Sequence, residues 1–171
     1  MFKVKRGLTL VEALVALVVL SFGLIPALAI LSSSTRLASL IKNNLIAANL
    51  AQEGVEVVRS MRDANWFANL SFNNGLVGNW RVEWNTSLLS VPSRPPLAVG
   101  TNPPLNFDSS TGLYSYSICG TCISTNFRRT ISVTLTAAPC ACELIVVSTV
   151  TWLEFNKIRT VNVESHLFNW K

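Results

Sequence analysis

Glu12 is a carboxylate five residues into an unbroken apolar run, Leu8 to Leu31, that contains no cation. Inside a bilayer such a charge costs about 2.5–3.5 kcal/mol at a helix centre, and somewhat less near an end. It is usually kept where function supplies a partner. Cutting the chain after Gly7 would supply one, because Leu8 would then carry a protonated α-amino group. A neighbouring copy, packed with a small axial stagger, would bring that amine to Glu12. The charge would then be costly in a lone monomer and neutralised in an assembly.

A second set of reactive groups is Cys119-Gly-Thr-Cys122 and Cys140-Ala-Cys142, the only thiols. C-x-x-C with C-x-C could close a tetrahedral thiolate zinc site. In an exported chain oxidation favours disulfides instead, and four cysteines allow three pairings. A C-x-C closure is awkward, so the expectation is at least one bond between the 119/122 group and the 140/142 group. Closing about 20 residues would stabilise the fold by roughly 3 kcal/mol. No βαβ pattern surrounds the C-x-x-C, which argues against thiol redox catalysis. His166 is the only histidine, with Ser165 beside it. Adjacent strand residues face opposite ways, so the two form no nucleophile–base pair. There is no glycine-rich phosphate loop and no paired-carboxylate constellation. The expectation is a protein without catalytic residues, cofactor or metal, with His166 a structural or surface residue.

These groups need positioning elements. The leader Met1–Gly7 is short and basic, with Lys3, Lys5 and Arg6. The 24 residues Leu8–Leu31 span about 36 Å as a helix, enough for about 30 Å of hydrocarbon. Apolar residues then recur at Leu37, Ile41, Leu45, Ala48, Ala51, Val55 and Val58, in steps of three and four. That is one helix face. Lys42, Gln52, Glu53, Glu56, Arg59 and Asp63 populate the other side. The helix is expected to run to about Ala64, with Ala51, Val55 and Val58 against a sheet and Glu53, Glu56, Arg59 and Arg62 in water. Pro26 is its strongest interruption, since it removes a backbone hydrogen bond. Gly54 and Ser32–Ser34 are weaker ones.

Beyond Trp66 the pattern turns to strands. After an Asn-rich stretch, Trp80–Trp84 alternates as a strand, and a breaker-rich, Pro-rich loop covers 91–112. Strands are expected at 113–118, 130–136, 144–152 and 158–168, all rich in β-branched and aromatic residues. The last two join through Glu154-Phe-Asn-Lys157, which suggests an antiparallel hairpin. The fold class is α+β: a long N-terminal helix packed on an antiparallel sheet of about four to five strands. The domain reading is leader 1–7, membrane half-helix 8–31, second half-helix 32–64 and β-rich head 65–171. The formal charge of +5 falls to +2 without the leader, too little for a strong electrostatic argument for a nucleic-acid partner. Only Arg128-Arg129 adjoin among the remaining cations, and a solvated strand face explains them as well as a DNA contact does.

Lys5-Arg6-Gly7-Leu8-Thr9-Leu10-Val11-Glu12 resembles the prepilin peptidase site of type IV pilins and type II secretion pseudopilins. The resemblance implies cleavage between Gly7 and Leu8, N-methylation at Leu8, and a role for Glu12 in filament assembly. Leu8 departs from the Phe usual at that position. Leu50-Ala-Gln-Glu-Gly-Val-Glu-Val-Val-Arg59, closing the helix ahead of Trp66, resembles PilV-type minor pilins and related pseudopilins. Pilin helices often carry glycine or proline near Pro26 and can melt locally in the filament; an ordinary membrane-helix kink is the other reading there. The implied function is a structural subunit, a minor pilin of a type IV pilus. Its implied partners are a prepilin peptidase/N-methyltransferase, other pilin subunits, the inner membrane and an assembly platform. The implied location is the bacterial inner membrane, single-pass, and then a surface filament. Two alternatives stay open: a pseudopilin of a type II secretion or DNA-uptake system, and an uncleaved single-pass anchor displaying a β-rich binding domain. A secretory signal peptide, with Ala27-Leu28-Ala29 as its cleavage site, fits less well. The apolar run exceeds the 7–15 residues of a signal core and holds Glu12 near its start.

Overall fold

The computed structural model describes residues 9–84, 102–136 and 142–170. The chain divides into two compact units, residues 1–42 and 43–171. One helix, α1 (Leu10–Phe67), runs through both.

In the first unit α1 starts where Thr9 caps it, its hydroxyl accepting the Glu12 N–H at 3.2 Å. Pro26 lies inside the helix, which continues past it. The hydroxyls of Ser21 and Ser33 donate to the carbonyls of Leu17 and Ile30 at 2.8 Å. That gives each hydroxyl proton an acceptor within the helix. This helix is long and apolar enough to cross a membrane.

In the second unit α1 ends three residues beyond the expected Ala64. Leu70 N–H reaches the Asn65 carbonyl at 2.9 Å and Asn69 N–H the Trp66 carbonyl at 3.1 Å. Asn69 itself takes φ 55°. This is a Schellman closure, in which an asparagine tolerates the left-handed conformation and satisfies the last carbonyls. Seven strands follow: β1 (Gly78–Trp80), β2 (Asn106–Asp108), β3 (Tyr114–Ser115), β4 (Cys122–Ser124), β5 (Arg128–Leu135), β6 (Glu143–Glu154) and β7 (Lys157–Phe168). They form a four-stranded sheet, β1-β5-β6-β7, and a three-stranded sheet, β3-β2-β4. All neighbours are antiparallel. The fold is α+β, as expected. The β6–β7 hairpin is also as expected, turning through Phe155 (φ 47°) and Asn156 (φ 61°), the two positive angles of a type I′ turn.

Core residues come from one face of α1 and alternate positions of the large sheet. Val55, Val57, Val58 and Met61 pack with Ile131, Val133, Leu144 and Val146. Ala47, Leu50 and Ala51 pack with Leu105, Phe127, Val150 and Trp152. Between the two clusters β6 contributes the buried Ser148. Opposite it is Gly54, where a Cβ would lie 2.7 Å from Ile131 Cδ1 and 2.8 Å from Ser148 Oγ. Gly54 is therefore the point of closest approach of helix and sheet rather than an interruption.

The structure corrects several local expectations. Arg129 is not on a solvated face: it is 0 % exposed. Its guanidinium donates to the Leu50 carbonyl at 2.8 Å, to Glu53 Oε1 at 3.1 Å and to the Val82 carbonyl at 2.6 Å. Arg62 is also buried, at 8 %, with its guanidinium 4.5 Å from the centre of the Trp66 ring. The first strand ends at Trp80 instead of beginning there. Val82 and Glu83 beyond it are buried, one as acceptor for Arg129 and the other as acceptor for the Tyr116 N–H at 3.1 Å. Within the expected Pro-rich loop, residues 106–108 are a central strand; residues 91–101 lie outside the described residues. The strand expected over 113–118 is only Tyr114–Ser115, and β4 was not foreseen. Such two- and three-residue strands exist through their neighbours and carry little propensity of their own.

Candidate processing and assembly segment

Gly7 and Leu8 lie outside the described residues. Thr9 to Glu12 forms the first turn of α1. Thr-x-x-Glu is the spacing of a capping box, and the Thr9 hydroxyl makes the half that receives the Glu12 N–H. A carboxylate here also meets the positive end of the helix macrodipole, a favourable term of about 0.3–1 kcal/mol at exposed ends. That offsets only part of the insertion cost, so the helix alone does not remove the need for a counter-charge. All described side chains from Thr9 to Leu31 are exposed on the isolated chain, Glu12 and Pro26 included. An apolar helix exposed all round is one built for an apolar environment.

The head carries the other groups singled out in the sequence. Cys119 and Cys122 are bonded to each other, Cα–Cα 5.0 Å. That pairing overturns the expected bond to the 140/142 group, since neither sulfur is left for it. Cys142 is in a disulfide as well, and Cys140 lies outside the described residues. The physical reason is topological: Cys122 opens β4 of the small sheet, whereas Cys142 precedes β6 of the large one. Asp108 stands beside the Cys119–Cys122 bond, its carboxylate and the two sulfurs within 4.8 Å of one another. As a disulfide the pair offers no thiolate to a metal. The carboxylate is engaged by the Ser110 hydroxyl at 2.7 Å and its N–H at 2.9 Å, by Thr121 at 2.8 Å and by Thr111 at 3.0 Å. Those bonds, Ser110 foremost, hold the Asp108 carboxyl well below the usual range. The cluster is a closed turn.

His166 is on the solvent face of β7, opposite Ile145, while Ser165 lies opposite the buried Val146. The two side chains therefore point to different faces. The imidazole Nδ1 contacts the Glu143 carboxylate, and Nε2 is 3.1 Å from Glu164 Oε1. The bond to Glu143, more than that to Glu164, raises the histidine pKa. Sequence reasoning missed Arg129 and Gly54, the two residues that hold α1 on the sheet. Strand parity with Ile131 and Val133 was the signal that could have found Arg129.

Residues 2–28 match the family described as the prokaryotic N-terminal methylation motif. The match takes in Gly7, Leu8, Glu12 and Pro26, and it supports the type IV pilin and pseudopilin family. Such a motif implies processing by a prepilin peptidase and assembly with other pilins. With the apolar helix it points to membrane anchoring. The PilV-like segment 50–66 lies outside the matched residues. No curated protein and no solved structure matches the chain.

Proposed function

We propose that this pilin-like chain is a minor pilin of a type IV pilus: a non-catalytic filament subunit, cut between Gly7 and Leu8, methylated at Leu8 and held by its apolar helix. The observation that carries the reading is the methylation motif at residues 2–28, continuous with a helix that places Glu12 in its first turn. The new Leu8 amine of one subunit pairs with Glu12 of the next. Assembly thereby removes the charge that makes a lone helix costly in the membrane. Before assembly the subunit is single-pass in the inner membrane, where the peptidase/N-methyltransferase and assembly platform act on it; afterwards it is part of a surface filament. The PilV-like segment favours a pilus over a secretion pseudopilus.

The test is intact-mass analysis of the chain co-expressed with a prepilin peptidase. Loss of Met1–Gly7 with gain of one methyl group is the expected result. An uncut chain would favour the anchored binding domain, and a cut after Ala29 would favour a secreted protein. Recovery of the processed chain from sheared surface filaments separates pilus from pseudopilus.

A further inference from the structure

The charges of the large sheet are polarised along its strands. At one end β6 closes and β7 opens, and the exposed cations Lys157 and Arg159 stand with Arg128, which opens β5. At the other end of the same strands are Glu143, Glu164 and the His166 they flank. The carboxylate at the cationic end is Glu154. It is buried and engaged by the Asn43 amide at 2.7 Å and the Trp152 indole at 3.3 Å. Leu153 and Ile158 face each other across the hairpin, 54 % and 78 % exposed. They line a cleft with Pro104, Arg128 and Thr151. By register Leu153, Ile158 and Arg128 lie on one face of the sheet and Lys157 and Arg159 on the other, so the five come together only at the hairpin tip. A tip that carries aliphatic groups with cations on either side is what an anionic lipid surface takes: the apolar groups enter the headgroup boundary while the cations meet phosphate.

This end of the head is also the one joined to the membrane segment. The Asn43–Glu154 bond ties the hairpin to the residue at which the head begins. Asn43 follows Leu31 by twelve residues of α1, a rise of about 18 Å. Those between them include Arg36 and Lys42 and no carboxylate. On so short a tether the surface is presented at high effective concentration, and weak contacts suffice.

We propose that the β6–β7 hairpin end of the head, Leu153, Lys157, Ile158 and Arg159 with Arg128, docks on anionic phospholipid headgroups of the membrane that holds α1. The hairpin tip would then be covered in the unassembled subunit and freed on extraction into a filament. The proposal rests on the reading of Leu10–Leu31 as a membrane span.

The test uses the full chain, reconstituted at low protein-to-lipid ratio into phosphatidylcholine vesicles with and without phosphatidylglycerol. A bimane label is placed at Thr160→Cys, exposed on β7 beside the patch, and quenched by a headgroup nitroxide lipid. Resistance to carbonate extraction reports insertion of α1 separately. Quenching in the anionic vesicles that falls roughly 30-fold, as a ratio of docked to free heads, in the K157Q/R159Q double variant is the expected result. High salt should mimic the variant. An inserted chain that shows no quenching in anionic vesicles overturns the proposal, and so does equal quenching in neutral vesicles. Quenching that grows with protein density and ignores phosphatidylglycerol assigns the face to a neighbouring subunit and overturns it too. A chain that carbonate extracts defeats the membrane reading, and the docking proposal with it.

Discussion

Replacing Arg129 by methionine should unfold a large share of the heads. The side chain is fully buried and bridges three parts of the molecule: α1 through the Leu50 carbonyl and Glu53, β5 through its own backbone, and the segment after β1 through the Val82 carbonyl. Methionine replaces the stem only as far as Nε and leaves the space of the guanidinium head unfilled, so a cavity adds to the loss. The larger loss is polar. Hydrogen bonds to a charged group contribute about 1.5–3 kcal/mol each, and removing one partner of a buried ion pair costs about 3–5 kcal/mol. These overlap and do not add. Glu53 can recover water, because its side chain is 32 % exposed, whereas the Val82 carbonyl is left without its donor. A loss of about 3–4 kcal/mol is expected, against a total of about 5–15 kcal/mol for a typical domain. Urea unfolding of the full chain in detergent, followed by tryptophan fluorescence, measures it. Arg128→Met is the paired control: it is exposed, and its bond to the Asn102 carbonyl lies at the surface, so it should cost less than about 1 kcal/mol. Equal midpoints for the two variants would refute the argument that Arg129 fastens the helix to the sheet.

Glu12→Val should leave cleavage after Gly7 largely intact and cripple filament incorporation, since valine inserts readily but gives a neighbouring amine nothing to pair with. Wild-type levels of the variant in sheared filaments would dispose of the charge-neutralisation argument. Gly54→Ala sets a helix-propensity gain of about 1 kcal/mol against a Cβ forced to 2.7 Å from Ile131 Cδ1, an overpacking cost of about 1–3 kcal/mol. The clash should win, and a raised melting temperature would show that the sheet yields there. His166, as the single histidine, should titrate in the NMR spectrum above its ordinary 6.5, and Glu143→Gln should bring the midpoint down. Because the folded value is raised, this stabilisation is complete below the unfolded value and is lost as pH rises through the folded one; a midpoint at or below 6.5 would contradict the contact. Replacing Cys119 and Cys122 by serine should cost only about 2 kcal/mol by urea unfolding, because the closed loop is four residues rather than about twenty. A larger loss would mean the turn around Asp108 cannot form without the bond.

The segment that carries the proposed function is the part most legible in the sequence, because the recognition proposed for it is linear. A peptidase reads a few contiguous residues, and a bilayer reads an apolar run of sufficient length, so Gly7, Leu8 and Glu12 need no tertiary partner to be found. The same holds for α1 and the long β6–β7 hairpin, whose periodicity over a dozen residues or more outweighs local exceptions. The head was harder to read wherever neighbours decide. β2 sits in a stretch of prolines and turn residues, and it is a strand only because β3 and β4 supply partners on both edges. The cysteine pairing failed for a related reason, since spacing along the chain does not say that Cys122 opens a strand of one sheet and Cys142 leads into a strand of the other.

Arg129 is the instructive case, because the information was present and the charge concealed it. Along β5 the buried residues Ile131 and Val133 share odd parity with Arg129, whereas Arg128, Thr130 and Ser132 share the other face. Reading the two arginines as one solvated pair ignored that a strand must send its adjacent side chains to opposite sides. The parity already placed one guanidinium in the core. A buried guanidinium has to find acceptors, and a helix laid across the sheet supplies both a carbonyl and a carboxylate. Gly54 then follows from the same contact: with Arg129, Ile131 and Ser148 beneath that turn of α1, only a residue without a side chain lets the helix come close enough for its Leu50 carbonyl to be reached.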